Sequence, residues 1–311
     1  MAWEYSLLLT GLVAFLVAGT LGASALRRWV WPEGNNIVVE TLFARINAWW
    51  AMVISLSVAS LFGRAGITIL FFLMSFAALR EFLSLTAKRR ADHWVLMFSF
   101  FVALPAQFLF VGVGWIGMMT VFIPVYTFLF LPVLAVARGD TSHFLARVAE
   151  TQWGLMLTIF AVSHVPALML LDIEGFAGKG ALLCAWLIIV VQGADVAHYL
   201  FPKLVGRHRI MPKLDSSRSW EGMVGALGAA FILGILLWWI TPFGLLWAPI
   251  IAVLTAFFGY GGNMVMAAIK RDKGVRDWGH LIPGQGGFLD RLDSVFFAAP
   301  VFFHLTRFFW G

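Results

Sequence analysis

The chain is a succession of apolar runs of about 20 residues, the length a helix needs to cross the hydrocarbon core of a bilayer. They occupy residues 6–26, 47–62, 67–83, 94–113, 116–136, 153–171, 180–200, 222–240 and 244–266, with a shorter tenth segment at 294–309. In a chain of 311 residues, 61% are hydrophobic and 12% are charged, whereas soluble domains carry about 25% charged residues. No single water-soluble core can take up that much apolar surface. Backbone groups inside lipid are satisfied only in helices or closed barrels, and runs of this length favour helices. The expected fold is all-α, a polytopic transmembrane helix bundle of about nine to ten spans. Pro105, Pro124 and Pro132 fall inside spans and are expected to kink helices without breaking them. The first run lacks a basic flank and reads as a retained helix rather than a cleaved signal peptide. The 15 tryptophans and 30 phenylalanines suit interfacial belts and lipid-facing surfaces.

Charge sorts the connections into two sets. Arg27, Arg28, Arg45, Lys88, Arg89, Arg90, Arg138 and Arg147 fall on one side, together with the basic stretches 203–218 and 270–291. The alternate connections, 63–66, 112–115, 172–179 and 241–243, are short and nearly uncharged. The positive-inside rule makes the basic set cytoplasmic and the N-terminus external, as in a multi-pass protein of a bacterial inner membrane. A transporter would carry ionisable groups at mid-membrane in several helices and an inverted repeat; here they gather at one face. The net charge of +6 contains no long basic stretch outside the apolar segments, so nucleic acid is not an expected partner. The single cysteine, Cys184, excludes an intramolecular disulfide and a zinc cluster. Residues 1–175 read as a transmembrane scaffold and residues 176–311 as the catalytic region with its cytoplasmic loops. Within the scaffold, Arg80 and Glu81 read as a local ion pair or as part of a lipid-entry cleft, and His164 with Pro166 as a kink in the sixth span.

Two segments hold the chemistry. The first contains Asp195, His198 and Tyr199 at the end of an apolar run, then Lys203, Gly206, Arg207, His208 and Arg209. It continues with Lys213, Asp215, Arg218, Trp220, Glu221 and Gly222. A carboxylate such as Asp195 near the end of a spanning helix needs a partner or a metal. The second runs from Lys270 and Arg271 through Arg276, Asp277, His280, Gly284, Gly286 and Gly287 to Asp290, Arg291 and Asp293. Its glycines and Pro283 favour an irregular loop whose backbone approaches a ligand. Asp277, Asp290 and Asp293 offer the hard oxygens that Mg²⁺ takes alongside substrate phosphates. Lys270, Arg271, Arg276 and Arg291 offer phosphate-binding donors, with His280 as a further contact. Acids that hold metal among bases that hold phosphate suit phosphoryl or nucleotidyl transfer, while a salt-bridged loop remains the alternative.

The second segment resembles the signature of the phosphatidate cytidylyltransferase (CDP-diacylglycerol synthase) family. The matching positions are Lys270, Arg271, Asp277, Gly286, Gly287, Asp290, Arg291 and Asp293. The first segment is similar to a second family block at Asp195, Tyr199, Lys203, Gly206, Pro212, Lys213, Trp220, Glu221 and Gly222. Close resemblance covers residues 190–300. Asp215 and Ser216 replace a Ser-Pro, Ala267 replaces a serine, Arg276 a lysine and Gln285 a histidine, which marks a divergent member. The resemblance implies transfer of CMP from CTP to phosphatidate, giving CDP-diacylglycerol and pyrophosphate. The alternative is a catalytically weak homologue that binds nucleotide or lipid, or an enzyme for another phosphorylated lipid. It also implies Mg²⁺, with room for a second metal ion, held by Asp195, Asp277, Asp290 and Asp293. Asp277, Asp290, Lys270 and Arg271 would be catalytic. Lys213, Arg218, Trp220, Glu221, Arg276, His280, Gly286, Gly287 and Arg291 would bind substrate, the glycine backbone offering N–H donors to the triphosphate. CTP, phosphatidate or a related phospholipid, and the membrane are the implied partners, and a homodimer is left open.

Overall fold

The computed structural model describes residues 2–29, 37–86, 92–137, 139–206, 208–211, 215–279 and 286–311. Among them, ten apolar helices follow one another: α1 (Ala2–Trp29), α2 (Ile37–Leu61), α3 (Gly63–Ser84), α4 (His93–Val113), α5 (Ile116–Val136), α6 (Phe144–Leu170), α7 (Gly180–Val205), α8 (Trp220–Leu236), α9 (Gly244–Asp272) and α10 (Leu289–Trp310). Nine are long and apolar enough to cross a membrane, and α8, at 17 residues, is shorter. The protein is a multi-pass helical bundle, as the apolar runs require.

Contacts fix which helix ends lie together. At one end, Lys179 Nζ pairs with Glu4 Oε1 at 2.6 Å, Trp3 stacks on Trp239, and Phe243 packs edge-on against Trp310. At the other end, Lys273 Nζ reaches Glu150 Oε1 at 2.6 Å, and the last turn of α3 meets the first residues of α10. These contacts set the last turns of α3 and α9 beside the first turns of α6 and α10, at the end opposite Glu4, Trp239 and Trp310.

Element boundaries depart from the apolar runs where polar residues extend a helix. The second run, expected at 47–62, is a 25-residue helix, and the short tenth segment is a 22-residue helix. Helix α9 continues past the apolar stretch to Asp272, so Lys270 and Arg271 lie on its last turn rather than in a loop. Asp290, Arg291 and Asp293 lie on the first turns of α10. A short antiparallel hairpin, β1 (Arg209–Met211) and β2 (Asp215–Ser219), pairs Arg209 with Ser219 and precedes α8. Ser219 caps that helix by accepting the Gly222 N–H at 3.1 Å.

Helices α4, α5 and α6 continue through their prolines. Each contains a π-helical stretch, Ser99–Ala103, Phe122–Thr127 or Met156–Ala161, upstream of or around Pro105, Pro124 or Pro166. The wider turn absorbs the missing proline N–H, and Pro132 sits inside a continuous helix. Helices α7, α9 and α10 form the centre, where Trp186 stacks on Phe302 with ring centroids 5.0 Å apart. Helix α8 approaches α9 backbone to backbone, since a Cβ built at Gly234 would lie 2.5 Å from Pro249 Cα. Close approach through small residues is how helices gain contact in lipid. Helix α1 is peripheral and turns side chains such as Phe15 and Leu21 outward.

Candidate active site

The second segment folds back on itself around one carboxylate. Asp290, on the first turn of α10, accepts Lys270 Nζ at 2.8 Å through Oδ1. Its Oδ2 accepts the backbone N–H groups of Trp278 at 2.8 Å and Gly287 at 2.9 Å. One side chain thus ties the end of α9, both ends of the intervening loop and the start of α10. Gly286 makes the turn with φ +86, a backbone region open to glycine at no steric cost. A Cβ there would lie 2.8 Å from Asp290 Oδ2 and 3.3 Å from Asp277 Oδ1, so Asp277 and Asp290 flank the same glycine. Asp277 is exposed, whereas the Asp290 side chain is 9% exposed.

A second pair of carboxylates lies between α7 and α10. Asp195 accepts Asn263 Nδ2 at 2.7 Å through Oδ1 and the Ser294 hydroxyl at 2.5 Å through Oδ2, joining α7, α9 and α10. Asp293 accepts the Ser294 N–H at 2.8 Å. Ser294 therefore lies against both Asp195 and Asp293, its hydroxyl on one and its N–H on the other. Asp290 and Asp293, three residues apart, share one face of α10. The structure therefore brings Asp195, Lys270, Asp277, Asp290 and Asp293 into one neighbourhood. Among the described residues, no three His, Cys, Asp or Glu side chains form a ready-made metal cluster; the carboxylates stand as two pairs.

The remaining expected residues divide. Arg218 lies over the Tyr260 ring, 5.3 Å from its centroid, and His198 meets the same ring edge-on. The Trp220 side chain is exposed, and its backbone N–H donates to His208 O at 3.0 Å. Glu221 accepts the His208 N–H at 2.9 Å and contacts its ring Nδ1, which pins the hairpin to the start of α8. Arg271 and Arg276 are exposed at the end of α9 and in the loop after it. Arg291 is half-buried, and its carbonyl accepts Gln192 Nε2 at 2.9 Å. The Gly287 N–H, expected to face a triphosphate, donates to Asp290 instead, because that carboxylate lies directly behind it. Lys213, His280 and Gln285 lie outside the described residues.

Glu81 carries no motif in the sequence and proves central. Its Oε1 accepts the Phe288 N–H and its Oε2 the Leu289 N–H, each at 2.8 Å. It is buried and engaged across 207 residues of chain, not in a local pair, and Arg80 beside it is exposed. Neighbouring residues on a helix point about 100° apart, so Arg80 and Glu81 serve different surfaces.

The profile of the cytidylyltransferase family matches residues 43–309. The chain is 37% identical over 305 residues to YnbB of Escherichia coli (strain K12), a protein described as uncharacterized, covering 96% of this chain and 97% of that one. It is 34% identical over 115 residues to the phosphatidate cytidylyltransferase of Staphylococcus haemolyticus (strain JCSC1435), and 32% identical over 126 residues to that of Staphylococcus aureus (strain COL). These matches span 36% and 40% of this chain, and 44% and 48% of the staphylococcal proteins, so less than half of either relative is covered. A match over most of its length, carried by a bundle whose acidic and basic side chains converge at one end, makes this chain a divergent member of the cytidylyltransferase family.

Proposed function

We propose that the protein is a phosphatidate cytidylyltransferase, transferring CMP from CTP to phosphatidate with release of pyrophosphate. The observation that carries this reading is the gathering at one end of the bundle of two carboxylate pairs, Asp195 and Asp293 about Ser294 and Asp277 and Asp290 about Gly286, with Lys270 paired to Asp290. On this reading lipid head groups lie at that level and a soluble nucleotide approaches from the aqueous side. The reading sets that end in the cytoplasm and the bundle in the inner membrane, in keeping with the basic connections there.

The donor set fits Mg²⁺. Nucleotide-bound Mg²⁺ takes one or two protein carboxylates and completes its shell with phosphate oxygens and water. Asp195 and Asp293 both contact Ser294, and two carboxylates so close together are an arrangement that a divalent cation relieves. These two residues would hold it, with Asp277 at the exposed side. Asp290 already accepts from three donors and acts as the fixed countercharge for Lys270. The bound ion would supply charge neutralisation between the triphosphate and the lipid phosphate.

In the reaction, a phosphatidate oxygen forms a bond to the α-phosphorus of CTP, the bond from that phosphorus to the β-phosphate oxygen breaks, and pyrophosphate leaves. A phosphate monoester is already largely ionised near neutral pH, so the acceptor needs no strong general base. Gln285, in place of the family histidine, is compatible with that chemistry. The difficulty is bringing two polyanions together. Lys270, Arg218, Arg271, Arg276 and Arg291 would supply the cations for that purpose.

The test is pyrophosphate release by the purified protein in detergent, with CTP, Mg²⁺ and phosphatidate. Release that requires all three supports the reading. Retained CTP binding without release, across phosphatidate and other phosphorylated lipids, would leave a nucleotide-binding homologue in its place.

A further inference from the structure

Helix α10 starts without a cap of its own. Its N-cap position, Phe288, has helical backbone angles and offers no side-chain hydrogen bond. The first amides of a helix have no partner within it and must find one elsewhere. Here the Phe288 and Leu289 amides find it on α3, in the carboxylate of Glu81. A carboxylate at a helix N-terminus gains from charge-assisted hydrogen bonds and from the helix dipole.

The fit around Glu81 is close. A Cβ built at Gly279 would lie 2.9 Å from its Oε1, and one built at Gly287 would lie 2.7 Å from its Oε2. Two glycines of the loop between α9 and α10 thus press bare backbone against one carboxylate. The next side chain on α3, Phe82, stacks on Trp278 with centroids 5.2 Å apart and an interplanar angle of 21°. Trp278 and Gly287 are the residues whose amides Asp290 accepts. Glu81 and Asp290 therefore brace the same loop, and Asp290 follows directly after the two residues that Glu81 holds.

We propose that Glu81 is a positioning residue for nucleotidyl transfer, fixing the start of α10 and through it the Asp290–Lys270 pair and Asp293. This rests on the activity proposed above. It also gives residues 1–175 a part in the chemistry, beyond anchoring.

The test uses the full chain in detergent with Glu81→Gln, Glu81→Ala and Gly279→Ala. Glutamine fills the same volume but lacks the charge and keeps one acceptor for two amides. Positioning predicts a fall in kcat of about 10- to 100-fold in Glu81→Gln, the usual effect of losing a group that orients a site, with KM for CTP little changed. A role in packing alone leaves Glu81→Gln at wild-type turnover and overturns the proposal. Gly279→Ala places a methyl against the carboxylate, so its loss and that of Glu81→Ala should not add. Hydrogen–deuterium exchange of residues 286–292 gives a readout independent of activity. Faster exchange there, with α5 unchanged, supports the proposal. Unchanged exchange, or exchange raised throughout the bundle, overturns it. Should the wild-type protein transfer CMP to no lipid, the assigned activity fails, while exchange still decides whether Glu81 holds the loop.

Discussion

Replacing Asp290 with asparagine separates what its charge does from what its shape does. The asparagine oxygen can take the place of Oδ2 and keep the Trp278 and Gly287 amides. Its Nδ2 then faces Lys270 Nζ, a donor against a donor, in place of a 2.8 Å ion pair. Losing one partner of a buried pair costs about 3–5 kcal/mol, and a charge-assisted hydrogen bond is worth about 1.5–3 kcal/mol. The Lys270 side chain is 21% exposed against 9% for Asp290, so water recovers part of that loss. An expected destabilisation of about 2–3 kcal/mol follows, large enough to lower the melting temperature and too small to unfold the bundle.

The double variant Asp290→Asn with Lys270→Met decides whether this accounting is right. Removing both members of a buried pair is far milder than removing one, so the double variant should melt within about 1 kcal/mol of wild type. Turnover should be lost in both, because the lysine loses the partner that fixes it in the single variant and its charge in the double. Thermal unfolding in a single detergent and pyrophosphate release are the two assays. A double variant less stable than Asp290→Asn, or near-wild-type turnover in either, refutes the assignment of this pair.

Three further outcomes are expected. Asp195→Asn keeps one acceptor, and the Ser294 hydroxyl can turn to accept, so stability should change by less than about 1 kcal/mol while Mg²⁺-dependent turnover is lost; retained turnover at low Mg²⁺ contradicts the ligand role. Arg147→Met removes a buried guanidinium that pairs with Asp92 at 3.2 Å and Asp140 at 3.1 Å, and should cost about 3–5 kcal/mol in thermal unfolding; a wild-type melting temperature would show the cluster to be dispensable. Gly234→Ala drives a methyl against Pro249 Cα and Ala248 O, backbone that cannot rotate aside, and should cost about 1–3 kcal/mol; unchanged unfolding would mean that α8 and α9 can separate freely.

The bundle was legible because lipid imposes a length on every apolar run, and that length survives in the sequence without help from distant residues. Helix ends were less legible. Beyond the hydrocarbon a helix can continue through polar residues, as α2 does around Glu40 and Arg45 and α9 does through Lys270. The hairpin Arg209–Met211 with Asp215–Ser219 was hidden by its basic, hydroxyl-rich composition, which carries no alternating apolar pattern. At the site, the acidic and basic residues stood out by type and spacing, and the fold brings Asp195, Asp277, Asp290, Asp293 and Lys270 together. What holds them was not readable. Glu81 follows an arginine at the end of an apolar run, a local context that suggests a neighbouring pair, and nothing near it in sequence announces a partner at Phe288.

That asymmetry has a physical origin. A group that meets substrate is restricted by chemistry, so only a few residue types serve, and they leave a pattern along the chain. A group that holds such a residue is restricted only by having an acceptor where two amides point, and that place is set by packing between distant helices. In this bundle the last turn of α3 lies against the loop between α9 and α10 because Phe82 fits between Trp278 and the bare face of Gly154. Once Phe82 is seated, the preceding position on the helix faces the start of α10, and the carboxylate there satisfies two amides beside Gly279 and Gly287. Aromatic packing in the first half of the chain thereby sets the geometry of the acidic residues in the second.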